Sequence, residues 1–431
     1  MGLLDSFQTG ISGLRGHAEA LTVIGDNIAN VATNGFKASR AEFSDIMSYN
    51  LKGIRGGNQI GRGTKVRSVK MIPEQGALVQ TDNSTDLAIA GNGFFVLQGK
   101  TDGRVFSRDG SFHFDKEGAL VNSDGLKVQG FKADEQGMIT NMLGDIKLPN
   151  TTVPSKGTTK VNLGLNLDST QEVLTEAFNI TNPNKTSNYS TGLTVYDSQG
   201  NKRLVTLFMH KNANNSWDWH VTADGADSAQ AGEPGTYVEM ASGVLNFTSE
   251  GKLDTETTSA SAFNFNKGAF PNQNIEFDFG DSITTDKGKG TDGTTQYSSK
   301  SELYREFQDG YSAGTLTTLS FETDGFLTGM YSNGRDILLG QVSLAKFDNM
   351  EALNKAGNNL LRESIDSGTP IIGVGSTGGR GKIFSKNIEA STSDIAKEFV
   401  SMMTTQKAFQ ASAKTISMAD DLLTEVINLK R

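Results

Sequence analysis

The 431-residue sequence contains no cysteine, which excludes disulfide bonds, thiolate nucleophiles and cysteine-ligated metals. No run approaches the ~18 apolar residues that a membrane-spanning helix needs. The start lacks the basic and apolar segments of a cleaved secretory leader, so we expect neither membrane insertion nor export with a cleaved signal peptide. Acidic residues outnumber basic ones, 49 to 40, and the formal net charge of −9 disfavours nucleic acid and anionic membranes as partners.

Motifs of catalysis and cofactor binding are also scarce. The four histidines, His17, His113, His210 and His220, have no zinc-type spacing. Residues 373–378, GVGSTG, match the dinucleotide pattern in form, but the glycine-rich residues after them are poor helix starters, and the pattern works only at a helix N-terminus. We therefore expect no enzyme activity, no cofactor and no metal.

Both ends of the chain carry narrow apolar stripes of helical spacing. A lone helix of this kind leaves its stripe in water, so we expect the two ends to pair as a coiled coil with each other and with neighbouring copies. Packing of both helices on the β-structure as ordinary cover is the open alternative. The predicted assembly seam consists of Phe7, Ile11, Leu14, Ala18, Leu21, Ile28, Ile395, Phe399, Met402, Phe409, Ala413, Ile416, Leu423 and Ile427.

The middle of the chain has the alternation of β-strands. Stretches such as DLAIAGNGFFVLQ and LTVYDSQGNKRLVTLFMHK are short and alternating, and they are broken by Asn-Gly, Asp-Gly and Gln-Gly turns. Forty-nine glycines against seven prolines suit a hairpin-rich protein. The predicted fold class is therefore mainly β and multidomain, with terminal α-helices.

The order of these patterns predicts nested, discontinuous domains. Residues 151–309 are richer in Ser, Thr, Asn and Gly than the alternating segments on either side, which indicates an inserted domain. The glycine-rich segments 53–63 and 373–381 are expected to be hinges. The predicted parts are a terminal helical coiled-coil domain (1–31 and 391–431), a connector (32–75 and 373–390), a middle β-domain (76–150 and 310–372) and an outer β-domain (151–309).

One stretch near the start identifies a family. Residues 21–43, LTVIGDNIANVATNGFKASRAEF, resemble the N-terminal signature of the flagellar rod and hook axial proteins, although Asp26 stands where that family often has asparagine. The blocks DLAIAGNGFFVLQ and FSRDGSFHFDKEGALVNSDGLKVQGF resemble the next part of the family, and residues 388–429 resemble its C-terminal helix. The signature and connector residues are Asn27, Asn30, Asn34, Gly35, Phe36 and Lys37; we expect the three asparagines and Gly35 to supply capping groups and the turn out of the first helix.

The chain length and the segment at 193–211, which looks like the outer domain of hook subunits, favour the hook branch of this family over the rod branch. The resemblance implies a homopolymeric tube outside the cell, exported by the flagellar apparatus, which acts as a flexible joint between rod and filament. It also implies contacts with the distal rod, the hook cap, the hook–filament junction protein, the hook-length control protein and the export apparatus. A distal rod subunit and a non-flagellar secreted β-rich protein, such as an enzyme or adhesin, are the alternatives.

Overall fold

Between the two ends, alternation of apolar and polar residues gives β-strands joined by turns and loops, and the two long helices lie at the ends. A computed structural model describes residues 3–46, 49–50, 59–99, 103–134, 137–148, 152–229 and 233–428. The chain forms two compact units: the first comprises Met1–Pro149, Thr317–Met330 and Asp336–Arg431, and the second comprises Asn150–Leu316 and Tyr331–Arg335. The expected mainly β fold with a helix at each end is confirmed.

The first part of the chain begins with the long helix α1, Leu3–Ala29, and continues in strands. These strands are β1 (Ser39–Asp45), β2 (Tyr49–Asn50), β3 (Gln59–Ile60), β4 (Thr64–Met71), β5 (Leu78–Gln80), β6 (Leu87–Ala90), β7 (Phe94–Gln98), β8 (Arg104–Ser107), β9 (His113–Phe114), β10 (Leu120–Val121), β11 (Lys127–Ala133) and β12 (Ile139–Asp145). Strands β1 and β4 pair antiparallel, from Ser39 opposite Met71 to Asp45 opposite Thr64, and form a two-stranded ribbon beside α1.

The second unit holds both tryptophans of the chain. Its strands are β13 (Thr152–Val153), β14 (Lys160–Asn166), β15 (Tyr189–Tyr196), β16 (Lys202–Ala213), β17 (Ser216–Asp224), β18 (Tyr237–Phe247), β19 (Leu253–Ser261), β20 (Glu276–Asp278) and β21 (Glu302–Gln308), with a short 3-10 helix at Gly225–Asp227. Strands β15 to β19 form an antiparallel meander, and β14 lies between β20 and β21. Along β17, Trp217, Trp219 and Val221 alternate inward into the core of this unit, as the period of a strand requires.

The returning part of the chain rebuilds the first unit. Its elements are β22 (Gly314–Phe321), β23 (Phe326–Tyr331), β24 (Asp336–Lys346), a 3-10 helix at Met350–Ala352, β25 (Asn354–Gly357), β26 (Leu360–Arg362), β27 (Ile371–Val374), β28 (Lys382–Ser385), β29 (Asn387–Glu389) and the helix α2 (Ile395–Asn428). Strand β24 pairs with both β11 and β7, so its buried residues Val342 and Leu344 complete a core started by Phe95 and Leu97. Strands β28 and β29 then pair with β6 and β5.

The predicted four-part division stays a prediction. Its outer domain, 151–309, falls within the range of the second unit, and the other three parts fall mainly within the first. Most of the expected hinge at 53–63 lies outside the described residues. The other expected hinge, 373–381, contains the end of β27 and a turn that leads into β28.

Candidate functional site: the terminal helix pair and the connector

Helices α1 and α2 pack against each other in antiparallel orientation. A Cβ added at Gly10 would lie 2.8 Å from Cγ1 of Ile416, and one added at Gly13 would lie 2.9 Å from Oγ of Ser412. At the other end of α1, the Asn27 amide donates to Oε1 of Glu398 over 3.2 Å. Glycine therefore allows the two helix backbones to approach closely at one end of the pair, and a side-chain hydrogen bond joins them at the other.

The predicted assembly seam is not fully covered by this pairing. Ten of its members are half-buried in the single chain: Phe7, Leu14, Ala18, Leu21, Ile28, Met402, Phe409, Ala413, Ile416 and Leu423. The other four are exposed: Ile11 (45%), Ile395 (47%), Phe399 (49%) and Ile427 (66%). Helix α2 also exposes Val400, Met403, Met418 and Leu422. The helix pair thus presents apolar surface that another molecule could cover, and the assignment of the seam stays a prediction.

Asn27 fixes the direction in which the chain leaves α1. Its Nδ2 donates to the carbonyl oxygen of Ser39, and its Oδ1 accepts from the Ser39 amide, both over 2.8 Å. Only 1% of Asn27 is exposed, so this pair of bonds is shielded from water. One side chain therefore ties the end of α1 to the start of β1 and, through Glu398, to α2.

The segment after α1 is a tight turn built by the other signature residues. Asn30 donates through Nδ2 to the Asp26 carbonyl oxygen over 2.9 Å and accepts from Thr33, which caps the end of the helix. Gly35 has φ +67°, and a Cβ there would lie 2.5 Å from the Asp109 backbone nitrogen. Glycine is therefore required at this position both by backbone conformation and by space. Asn34 accepts, through its carbonyl oxygen, a hydrogen bond from Asn359 over 2.6 Å.

Lys37 belongs to a buried group of charges that we call the ion cluster, which consists of Lys37, Arg108 and Glu389. The Lys37 ammonium lies 2.6 Å from one oxygen of Glu389, and Nη1 of Arg108 lies 3.1 Å from the other. The three side chains are 5%, 4% and 0% exposed. The Gly76 amide also donates to Glu389, and the Glu389 carbonyl oxygen accepts from Gly35 over 2.7 Å. Glu389, in strand β29, thus joins the segment that follows α1, through Gly35 and Lys37, to the segment that follows β8, through Arg108.

Electrostatics make the cluster sensitive to any change in its charges. Burial lowers the pKa of Lys37 from its usual value, and the attraction of Glu389 opposes that effect. Burial likewise lowers the pKa of Arg108, again against the attraction of Glu389. Each cation therefore depends on the shared carboxylate to compensate its lost hydration.

A short hairpin, β25–β26, closes over the connector. Lys355 places its ammonium 4.8 Å from the ring centre of the buried Phe36 and 3.6 Å from an Asp26 carboxylate oxygen. Asn358 and Asn359 form the tip with positive φ values of 52° and 57°, and Asn359 provides the bond to Asn34. The hairpin therefore contacts the chain before the turn at Asp26, through Lys355, and within the turn at Asn34, through Asn359.

The structure brings the six signature residues together around the connector, together with partners that sequence reasoning missed. Arg108, Glu389 and the hairpin residues Lys355 and Asn359 are distant in sequence from the signature. In the sequence, Arg108 and Glu389 lie in blocks that are marked only by their resemblance to the family, because nothing local indicates a buried ion pair. In the part of the chain that is described, no cluster of three His, Asp or Glu side chains is arranged to hold a metal. None of the described helices is long and apolar enough to cross a membrane.

Four family models match successive parts of the chain. They are "Flagella basal body rod protein" (residues 7–37), "Flagellar hook protein FlgE/F/G D1 domain" (88–166), "Flagellar basal body protein FlaE D2 domain" (166–311) and "Flagellar basal body rod FlgEFG protein C-terminal" (385–429). The first and last of these cover most of the helix pair and the two sides of the connector. These matches place the chain in the class of rod and hook proteins of the bacterial flagellum.

Full-length relatives narrow this class. The chain is 32% identical to the flagellar hook protein FlgE of Salmonella typhimurium over 432 residues, which cover 99% of this chain and all of the relative. It is 31% identical to the Borreliella burgdorferi protein of the same name over 463 residues, with 99% and 100% coverage. The crystal structure of Helicobacter pylori flagellar hook protein FlgE2 is similar in fold, with a TM-score of 0.53 at 16% identity, and covers 72% of this chain and all of that one. The chain belongs to the flagellar hook protein FlgE family.

Proposed function

We propose that this chain is a structural subunit of the flagellar hook that polymerises through its terminal helices into a flexible, curved tube. The tube passes torque from the rod to the filament and serves as an export channel. The observation that supports this most directly is the end-to-end similarity to hook proteins, which covers 99% of this chain and all of the Salmonella typhimurium relative. The apolar surface on α2, which includes Phe399, Met418 and Leu422, supplies a face for a neighbouring copy.

The connector gives this polymer its mechanical link. A polymer whose terminal helices form an inner seam can transmit force only if those helices are firmly joined to the β-units. The ion cluster and the Asn27 bonds make that joint within the first unit. The polar surface expected for the outer domain supplies weaker contacts that can slide as the tube bends.

The proposal also includes the individual partners that the family resemblance implies. They are the distal rod, the hook cap, the hook–filament junction protein, the hook-length control protein and the flagellar export apparatus. We propose export without a cleaved signal peptide, a location in the hook outside the cell, and no catalytic role. The resemblance of both ends to the family supports these points.

Electron microscopy of purified protein after salt-induced polymerisation tests the function. Curved tubes are expected, straight tubes would indicate a distal rod subunit, and monomers alone at all concentrations would refute the proposal. Phe409→Asp places a charge on the predicted seam and removes a burial worth ~1.5–3 kcal/mol, so it is expected to abolish assembly. Gln410→Asp, at the exposed polar neighbour, is the matched control and should assemble normally. Unchanged Trp fluorescence would show that the β-structure around the tryptophans survives in both variants.

A further inference from the structure

A pocket of about 210 Å³ opens beside the connector. We call it the connector pocket; its wall includes Phe36, Lys37, Met71, Arg108, Lys355 and Leu361. The wall thus combines apolar side chains with three cationic ones and one carboxylate, that of Asp26. The space is several times that of a water molecule, which occupies ~30 Å³ in the liquid. A charged head group with a short apolar stem would fit such a wall.

The charges around this pocket are unbalanced. Two buried cations, Lys37 and Arg108, share the single carboxylate of Glu389. At the rim, Lys355 is compensated by Asp26 at 3.6 Å. Among the buried groups, these pairs leave one positive charge in excess; the exposed carboxylate of Glu74 also attracts Lys37 but lies outside the pocket wall.

Arg108 also has a free hydrogen-bond donor. Its Nη1 donates to Glu389 and to the Ile89 carbonyl oxygen, and its Nη2 donates to Gly91. Nε is buried and has no acceptor among the described residues. A buried donor without an acceptor lowers the stability of the fold, and most buried polar groups in native proteins have a hydrogen-bond partner.

We infer that the connector pocket binds a carboxylate side chain from a neighbouring copy of this chain, which accepts from Arg108 and balances the charge of the ion cluster. An Asp or Glu residue supplies the anion, and its methylene stem packs on Phe36 and Leu361. The inference rests on the proposed function, because it requires a polymer. It adds a specific contact between copies at the connector, separate from the predicted helical seam.

A neighbouring copy is the occupant that the composition favours. The chain carries nine more acidic than basic residues, 49 against 40, so copies packed side by side present surplus carboxylates to one another. A pocket with a surplus cation gives one of these carboxylates a compensated position, and charge complementarity of this kind sets register between partners.

Carbodiimide cross-linking tests the inference on the unmodified full chain. Carbodiimide joins a carboxylate to an amine in direct contact, and Lys355 is the accessible amine at the pocket, with 45% of its side chain exposed. Polymers are grown from an equal mixture of ¹⁴N- and ¹⁵N-labelled chains, cross-linked and digested for mass spectrometry. The expected result is a mixed-isotope cross-link between Lys355 and an Asp or Glu of another copy, absent from the free chain.

A charge reversal gives an independent measurement. Lys355→Glu places a negative charge at the mouth and is expected to slow seeded polymer growth by about tenfold, since like charges oppose docking. Lys116→Glu makes the same change at an exposed turn of the first unit and is expected to alter growth less than about twofold. Circular dichroism of the free chains checks that both variants fold.

The outcomes separate the two proposals. Polymers in which Lys355 couples only to Asp26 of its own chain would overturn the inference and leave the proposed function intact. Coupling to acetate alone, when acetate is added, would show that the pocket takes a free anion only and would also overturn it. If the free chain never polymerises, the proposed function fails, and this inference fails with it.

Discussion

Replacing Glu389 with glutamine should strongly destabilise the first unit. The glutamine keeps the shape of the side chain but removes the charge shared by Lys37 and Arg108, which lie 2.6 and 3.1 Å away and are about 5% exposed. Removing one partner of a buried ion pair costs ~3–5 kcal/mol, because the remaining charge is left without compensation. A difference of ~1.4 kcal/mol is tenfold in an equilibrium constant, so Glu389→Gln should raise the open population of the first unit more than about 100-fold.

The position of the tryptophans makes this measurement specific. Both tryptophans, Trp217 and Trp219, lie in the core of the second unit, so their fluorescence in urea reports that unit alone. Hydrogen exchange of β7 and β8 reports the first unit. We expect exchange in β7 and β8 to accelerate while the fluorescence transition keeps its midpoint.

The matched control is Glu19→Gln, which breaks the exposed helical pair with Arg15. Its side chains are 83% and 51% exposed, and such pairs contribute ~0.3–0.5 kcal/mol. If Glu389→Gln changed exchange no more than Glu19→Gln, Glu389 would not be holding the connector, and the argument for a rigid joint would be refuted.

Three further changes test other parts of the structure. Gly10→Ala should loosen the helix pair, because its new Cβ would meet Ile416, whereas Gly25→Ala, in the same helix with nothing within 4 Å, should gain ~0.5–1 kcal/mol; thermal melting of the helical circular dichroism signal distinguishes them. Gly35→Ala should cost more than Gly125→Ala, since both residues have positive φ but only Gly35 is crowded, and equal losses in urea denaturation would show that strain alone matters. In the second unit, burial, reinforced by nearby Asp278 and Asp286, raises the pKa of Glu256 to about 7. The folded state therefore binds more protons than the unfolded state between pH ~4.5 and ~7. As the pH rises through that range, the free energy of unfolding, followed by Trp fluorescence, should fall by ~1–3 kcal/mol. Glu256→Gln should flatten the profile, and a profile that stayed steep would contradict the assignment.

Local patterns were enough to predict the fold class. The spacing of Leu14, Leu21 and Phe409 is helical and independent of any partner, and the alternation around Trp217 and Trp219 is that of a strand. Asn-Gly and Asp-Gly pairs marked turns because their conformational preference is intrinsic. These signals lie within a few residues of the structures they predict.

The helix contact was less predictable. The apolar stripe selects large side chains such as Ile11 and Phe399, which are exposed, whereas Gly10 and Gly13 lie close to α2. A stripe shows which face is apolar and does not show which part of it meets which partner. Small residues create the space for contact without adding to the apolar pattern.

The connector was recognised from its residues, and its partners could not be. Asn30 and Gly35 act locally, and their roles as cap and turn follow from residue type. Asn27 instead bonds Ser39, and Lys37 bonds Glu389, at separations of 12 and 352 residues. The family resemblance marked these positions as significant, but the charge that Lys37 needs is set by the fold between them.

The 352-residue separation between Lys37 and Glu389 has a consequence for the order of folding. Closing so long a flexible loop costs ~5 kcal/mol of chain entropy, and the cost falls once the intervening strands have folded and brought the two segments near each other. The connector can therefore be fixed only after strand β29 has emerged, and local strand pairs such as β7–β8 can form long before then. Asn27 can bond Ser39 early, because only 12 residues separate them, whereas Lys37 is expected to remain without its carboxylate until the strands between it and Glu389 have folded.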